Sequence, residues 1–252
     1  EAIIEITCDR CPETFDTTLI FQKQVNEFIH WRANMPWINI KIIGGGLIAH
    51  YQKHLEDADA AVKHSGVRYS KEYEALQRSL HSKGDYGHSG HQYIPTIFHA
   101  ISQLAKRLGA VTVLDYGSAK GDTMRHVSEH LWLPPSVESF CYDPFVDGFL
   151  EEPMPADLVL CTDVLEHVEP ECTMAVLDHI ASITKRIAFF SIGLTPASKT
   201  LDDGRNAHIN LRTSEFWIRE ITKRFITSEA KLTPDNENVL VIAQSIDDVR
   251  ET

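Results

Sequence analysis

The sequence predicts an α/β protein: a doubly wound, mostly parallel sheet with an antiparallel last strand, preceded by a small α+β module. Three observations carry this. Apolar, β-branched runs alternate with amphipathic helical stretches from Val111 onward, and such alternation builds a parallel sheet with both faces covered. The chain then ends on two strand-like runs joined by the polar turn Thr233–Asn238, TPDNEN, so the last strand must reverse direction. Finally, the polar, small-residue stretch Asp57–Gly66, DADAAVKHSG, reads as a boundary. Residues 1–66 form the small module and residues 67–252 the main domain.

In the module, Ala2–Ile6 and Ile38–Ile43 read as strands, the second stopped by Gly44, Gly45 and Gly46. Thr17–Trp31 places Leu19, Phe21, Val25, Phe28 and Ile29 at roughly helical spacing. Past the boundary, Ser70–Leu80 reads as a helix capped by Ser70. Lys83–Gly90, KGDYGHSG, must be a loop. Ile94–Leu108 reads as a helix with Pro95 in its first turn and Gly109 at its stop. Val111–Asp115 is a strand, Thr123–Leu131 a helix, and Ser139–Asp143 and Asp157–Cys161 are strands. Thr173–Thr184 is a helix, Ile187–Ile192 a strand and Thr213–Phe225 a helix. Thr227–Leu232 and Val239–Gln244 close the sheet.

The chain of 252 residues is long enough for a full core. Against 24 Lys and Arg stand 36 Asp and Glu, a formal charge of −12. Such a balance disfavours an extended nucleic acid as partner, because no basic run offsets it. No stretch approaches the ~20 apolar residues of a membrane helix. The opening EAIIEITCDR has neither the basic nor the long apolar region of a signal peptide. Five cysteines, an odd count, argue against a disulfide framework and for a reducing, cytoplasmic setting. Cys141, Cys161 and Cys172 read as small buried hydrophobes.

The strongest chemical signal is Val111–Asp122, VTVLDYGSAKGD. An apolar strand ends at Asp115, Gly117 and Gly121 follow, and a helix begins. Glycine lets backbone approach a ligand over the carboxyl edge of a parallel sheet, and the helix start offers unpaired N–H groups. The GK[ST] of a phosphate-binding loop is absent. Asp115 would repel a pyrophosphate but suits a ligand carrying an ammonium group. Asp143, at the end of the next strand in CYDP, is placed to accept hydrogen bonds from a ribose diol. An amino-acid-bearing nucleoside meets both acids.

Here the chain resembles the class I S-adenosylmethionine-dependent methyltransferases, with their Rossmann-like fold. VLDYGSAKG is similar to their first motif, CYDPF to the acidic end of their second strand, and Ala156–Pro170, ADLVLCTDVLEHVEP, to their fourth-strand motif. The resemblance runs from about Ser70 to the C-terminus. It implies that Asp115, Gly117 and Gly121 hold the methionyl part of S-adenosylmethionine and that Asp143 holds its ribose. It implies further that Asp163, Val164 and Leu165 line the adenine and the methyl donor. Tyr116, Ser118 and Pro144 flank these positions, and Tyr86 lies in an upstream loop of the sort that closes over the cofactor. The chain departs from the family twice. Ala119 stands where the loop usually has glycine. Only 13 residues, Pro144–Ala156, separate Asp143 from Asp157, too few for a helix and a third strand, so that strand is expected to be truncated or missing.

Methyl transfer from a sulfonium needs proximity and orientation, and a base only where the acceptor carries a proton. The loop Gly193–Arg212 follows a strand at the carboxyl edge, and its 20 residues exceed the ~12–15 of an ordinary connection. His208 on this loop reads either as a core histidine bonded to a carbonyl or as the acceptor-side base. Glu166 and His167, after the fourth strand, read as acceptor-facing or, for His167, as a solvent-facing helix start. Arg205–Trp217, RNAHINLRTSEFW, resembles a segment of uncharacterised phage and bacterial methyltransferase-like proteins. His88 and His91, near Tyr86, read as linker or lid. The resemblance implies an enzyme acting on a small-molecule, sugar or nucleoside acceptor. Two other readings keep the cofactor: non-methyl chemistry, or a non-catalytic scaffold.

In the module, Cys8 and Cys11 form a CxxC, and His50 and His54 an HxxxH. Both spacings occur in structural zinc sites. The segment Ile6–Ile43 resembles half of a zinc ribbon, and a metal-free ribbon packed by aromatic residues is the other reading.

Overall fold

A computed structural model of the chain describes residues 2–8, 11–19, 38–43, 66–84, 86–88, 102–103, 105–129 and 136–246. The chain divides into two compact units, Glu1–Lys63 and His64–Thr252.

The first unit contains a three-stranded antiparallel sheet of β1 (Ala2–Cys8), β2 (Cys11–Leu19) and β3 (Ile38–Ile43), with β1 in the centre. The register sets Cys8 opposite Cys11. The helix expected over Thr17–Trp31 is corrected at its start. Thr17, Thr18 and Leu19 belong to β2, paired with Ile4, Ile3 and Ala2, because two threonines fit a ladder better than a helix. The remainder of that stretch, and His50 and His54, lie outside the described residues.

The second unit is built on a six-stranded sheet. Its strands are β4 (Thr112–Tyr116), β5 (Glu138–Tyr142), β6 (Ala156–Thr162), β7 (Thr184–Gly193), β8 (Phe225–Leu232) and β9 (Asn238–Ser245). They stand in the order β5-β4-β6-β7-β9-β8. β5, β4, β6 and β7 pair in parallel, and β9 runs antiparallel to both β7 and β8. No strand forms between Tyr142 and Ala156, so the third strand is missing, as the short spacing predicts. β5 therefore stands at the sheet's edge.

Alternate residues of a strand face opposite sides, and the core follows that rule. Leu158 and Leu160 of β6 pack in one cluster with Val113, Met124 and Phe189. Val159 and Cys161 pack in the other, with Leu114, Phe190 and Trp217. Burying each large apolar side chain contributes about 1.5–3 kcal/mol. The covering helices are α1 (Lys71–Ser82), α2 (Asp122–Glu129), α3 (Thr173–Ile183) and α4 (Ser214–Thr222). Ser70 caps α1, its hydroxyl accepting from the Tyr73 N–H, and Thr213 caps α4. Within the predicted Ile94–Leu108, residues 102–103 and 105–108 are helical; the rest of it, and His91, lie outside the described residues. Among the described residues no helix is long and apolar enough to cross a membrane.

Candidate functional site

The carboxyl ends of β4, β5, β6 and β7 open onto one cleft of about 680 Å³. Parallel strands end on the same edge, so residues far apart in sequence meet there. After β4, the chain turns through Gly117, whose φ is +73°. A Cβ on Gly117 would lie 2.5 Å from a methyl of Val164. β4 neighbours β6, and the turn after β6 packs its valine over this glycine. The N–H groups of Gly117 and Ser118 donate to the Tyr142 carbonyl at 2.8 and 3.0 Å, which ties the loop to the end of β5.

Asp143 secures the other side of the loop. Its Oδ2 accepts from the Ala119 N–H at 2.8 Å and its Oδ1 from the Phe145 N–H at 2.9 Å. A carboxylate offers about four lone-pair sites, so each oxygen keeps one for a ligand. Ala119 adopts φ +47°, the left-handed region that a glycine would occupy without strain.

Asp115 is 1% exposed, and its Oδ2 has no hydrogen-bond partner. Burial pushes its pKa up to about 7, against the opposing hydrogen bond of Thr123, and the Asp143 charge adds to the rise. His81 Nδ1, Ser118 Oγ and Glu166 Oε2 are also buried without a partner. All four residues line the cleft. Native interiors leave few such atoms, and gathering four in one concavity marks a surface shaped for a polar ligand.

Beyond β6 the chain enters the DVLEH turn. Asp163 takes φ +55°, its N–H donating to the Ser191 carbonyl at 2.8 Å. Its Oδ1 accepts from Ser191 Oγ and Asn238 Nδ2. A non-glycine residue in this region is held by its surroundings, a recurrent mark of functional turns. Glu166 is 1% exposed; Oε1 accepts from the Gly193 N–H at 2.7 Å. Burial pushes its pKa up to about 8, and nearby Asp163 adds to this. The His167 ring Nδ1–H donates to the Ala207 carbonyl at 2.9 Å. Burial and the neighbouring His208 lower its pKa to about 3, against that bond, so the ring is neutral.

The loop after β7 is compact rather than structureless. Thr200 bridges Asn206, and the Asn206 side chain bonds both the N–H and the carbonyl of Ala197. Leu201 and Ala207 are buried against Tyr73 and Leu80 of α1. This holds His208 in place: its N–H donates to Asn206 Oδ1, its ring Nδ1 donates to the Thr195 carbonyl, and its ring lies 4.6 Å edge-on from that of His167. Asn210 clamps the loop to the turn, donating to the Leu165 carbonyl, to Thr173 Oγ1 and, through its N–H, to the Glu166 carbonyl.

Of the residues singled out in the sequence, Tyr86, Asp115, Tyr116, Gly117, Ser118, Asp143, Pro144, Asp163, Val164, Glu166, His167 and His208 line the cleft. Two do not. Gly121 takes φ +72°, and a Cβ there would lie 3.1 Å from the Phe149 ring; its glycine serves the turn and its packing. Leu165 is fully buried in the core beneath the turn. His88 lines the cleft as well, its ring bonded to Asp122 at 2.7 Å at the start of α2. Tyr73, Gln77 and His81, all on α1, line the cleft too, and sequence reasoning missed them. Their i, i+4, i+8 spacing, one stripe of a helix, is the signal that would have found them.

No family model matches the chain, and no curated protein does. The chain is similar to several solved structures. One is the Burkholderia thailandensis 1,6-didemethyltoxoflavin-N1-methyltransferase with bound S-adenosylhomocysteine. It is 17% identical, over 71% of this chain and 91% of that one, with a TM-score of 0.51. A second is the magnesium protoporphyrin IX methyltransferase of Synechocystis PCC 6803 with bound SAM. It is 16% identical, over 71% of this chain and 100% of that one, with a TM-score of 0.43. A third, the mitomycin 7-O-methyltransferase, is 14% identical, over 61% of this chain and 54% of that one, with a TM-score of 0.44. Mostly parallel, with one antiparallel strand inserted between β7 and β8 and a cleft at its carboxyl edge, the sheet of this chain has the fold of the class I S-adenosylmethionine-dependent methyltransferases.

Proposed function

We propose that the unit His64–Thr252 is an S-adenosylmethionine-dependent methyltransferase acting on a small-molecule, sugar or nucleoside acceptor. The observation that carries this reading is the gathering of buried, unpartnered polar atoms in one cleft of this fold, above all Asp115 Oδ2. The residues fit the cofactor. Asp115 presents an acceptor to an ammonium group, and Asp143 keeps lone pairs for a diol. When bound, S-adenosylmethionine supplies an electrophilic methyl group. The chain's part is then placement. Asp115 and Asp143 fix the two ends of the ligand, the glycine loop lets backbone approach it, and α1 walls the cleft against water. Orientation of this kind supplies ~7–11 kcal/mol of a barrier.

Glu166, His167 and His208 form the acceptor-side group of this reading. Release of S-adenosylhomocysteine on incubation with candidate acceptors tests the activity, and calorimetry with S-adenosylhomocysteine tests the binding. Binding without turnover on any hydroxyl-, amine- or thiol-bearing acceptor supports a scaffold instead. No binding at all overturns the reading.

A further inference from the structure

Glu166, His167 and His208 each offer a ligand atom, and these atoms lie within 4.8 Å of one another. We propose that the three side chains form a site for one first-row divalent transition cation, placed to receive an oxygen of the acceptor. Its role in catalysis rests on the methyltransferase reading; the binding itself does not.

Each ring has its Nδ1–H committed to a backbone carbonyl, His167 to Ala207 and His208 to Thr195. A neutral imidazole so tied keeps its lone pair on Nε2, the arrangement that fixes metal-binding histidines. Glu166 Oε1 is held by the Gly193 N–H, and its Oε2 is buried without a partner. A buried carboxyl oxygen without a hydrogen-bond partner is costly, and a cation that takes the place of its proton would meet it. Hydrogen bonds to the Ala207 and Thr195 carbonyls and from the Gly193 N–H therefore already orient all three side chains.

Ligand bonds of ~2.0–2.2 Å bring ligand atoms within ~4.4 Å of one another at the widest. The three ligand atoms, within 4.8 Å of one another here, would draw together around the ion on binding. Two imidazole nitrogens and one carboxylate oxygen suit a first-row transition cation, whereas Ca²⁺ and Mg²⁺ favour all-oxygen sites. Three protein ligands leave positions open, and these three residues all line the cleft. The fitting acceptor is thus an alcohol or a phenol. A hydroxyl on the cation loses its proton more readily. That proton passes to solvent, the oxygen's electron pair forms the bond to the methyl carbon, and the carbon–sulfur pair stays on sulfur.

The test is titration of the full-length chain with Co²⁺ alone, read by its visible d–d bands. One Co²⁺ should bind with no intense thiolate charge-transfer band, which separates this site from any Cys8 and Cys11 site. His208→Ala and the near-isosteric Glu166→Gln should each weaken that binding by at least about tenfold, with circular dichroism confirming the fold. The proposal is overturned if the wild type shows no thiolate-free Co²⁺ signal, or if a folded variant of either kind binds Co²⁺ as tightly as the wild type. Calorimetry with S-adenosylhomocysteine on the same wild-type sample keeps the two readings apart. A chain that binds Co²⁺ here but no S-adenosylhomocysteine loses the methyltransferase reading and keeps the metal site; the opposite result does the reverse.

Discussion

Asp115 and Glu166 carry opposite consequences for stability and for binding. Both are buried carboxyls whose folded-state pKa values are raised, to about 7 and about 8. The unfolded chain therefore ionises them first. Their contribution to stability is full below pH ~4 and is lost as pH rises through those values. The ligand-free protein should melt at falling temperature from pH 4 to pH 8. Asp115→Asn should lessen the fall between about pH 4 and 7, and Glu166→Gln should lessen it up to about pH 8; a slope unchanged in both would remove these groups as its cause. An ammonium ligand favours ionised Asp115, so S-adenosylhomocysteine should bind more tightly as pH rises toward 7. Calorimetry in two buffers near pH 6 should report proton release on binding, lost in Asp115→Asn. Asp143 bears a second load, since it also accepts from Ala119 and Phe145. Asp143→Ala should weaken ligand binding ~10–100-fold, from charge-assisted bonds worth ~1.5–3 kcal/mol each. Unchanged affinity in that variant would take Asp143 out of the site. Asp115 and Asp143 were legible in the sequence because each stands at the end of an apolar strand, and Glu166 because it falls in the DVLEH run that follows the fourth strand. His81 was not, because a lone histidine near the end of a polar helix reads as solvated until the cleft is seen behind it.

At the scale of elements, α1 turns an open sheet edge into a walled cleft. Ser70, its cap, donates both its N–H and its hydroxyl to Glu169, at 2.7 and 2.8 Å, while that hydroxyl accepts from Tyr73. Tyr73 in turn donates to the His167 carbonyl. The docking thus runs from the helix cap straight to the DVLEH turn. Glu169→Ala leaves the two half-buried Ser70 donors without their partner, a cost of ~1–3 kcal/mol. Hydrogen exchange across residues 71–82 should accelerate well before that of β6 and β7, and ligand affinity should fall with the sheet intact. Exchange in α1 that matches the wild type would mean that apolar packing alone docks it. The helix and its Ser70 cap follow from local chemistry, and so were readable. Its docking was not, because Glu169 lies 99 positions from Ser70 and nothing in either segment names the other. The loop Gly193–Arg212 shows the same limit. Its length marks it as functional, but Asn206 and Asn210, which hold it rigid, read as ordinary loop asparagines.

For the molecule as a whole, the missing third strand and the two-unit division decide what can stand alone. The short Asp143–Asp157 spacing made the loss of that strand readable, because chain length is a hard limit on what fits. Its consequence is an edge at β5, where Phe140 is 46% exposed. The antiparallel β9, inserted between β7 and β8, was readable only as a reversed last strand, since insertion order is set by packing of the finished sheet. Both faces of the six strands carry their own core clusters within His64–Thr252. A fragment of residues 64–252 should therefore unfold in one cooperative transition and bind S-adenosylhomocysteine within about threefold of the full chain, a difference of ~0.65 kcal/mol. It should also retain the cation site of Glu166, His167 and His208. Any zinc held through Cys8 and Cys11 should leave with the first unit, and Cys8→Ser in the full chain should remove that metal without touching ligand affinity. Metal analysis of the fragment, the full chain and the Cys8→Ser variant separates the two sites. A fragment that is insoluble or fails to bind would show that the first unit completes the fold, and the division at Lys63 would then mark a seam within one cooperative structure.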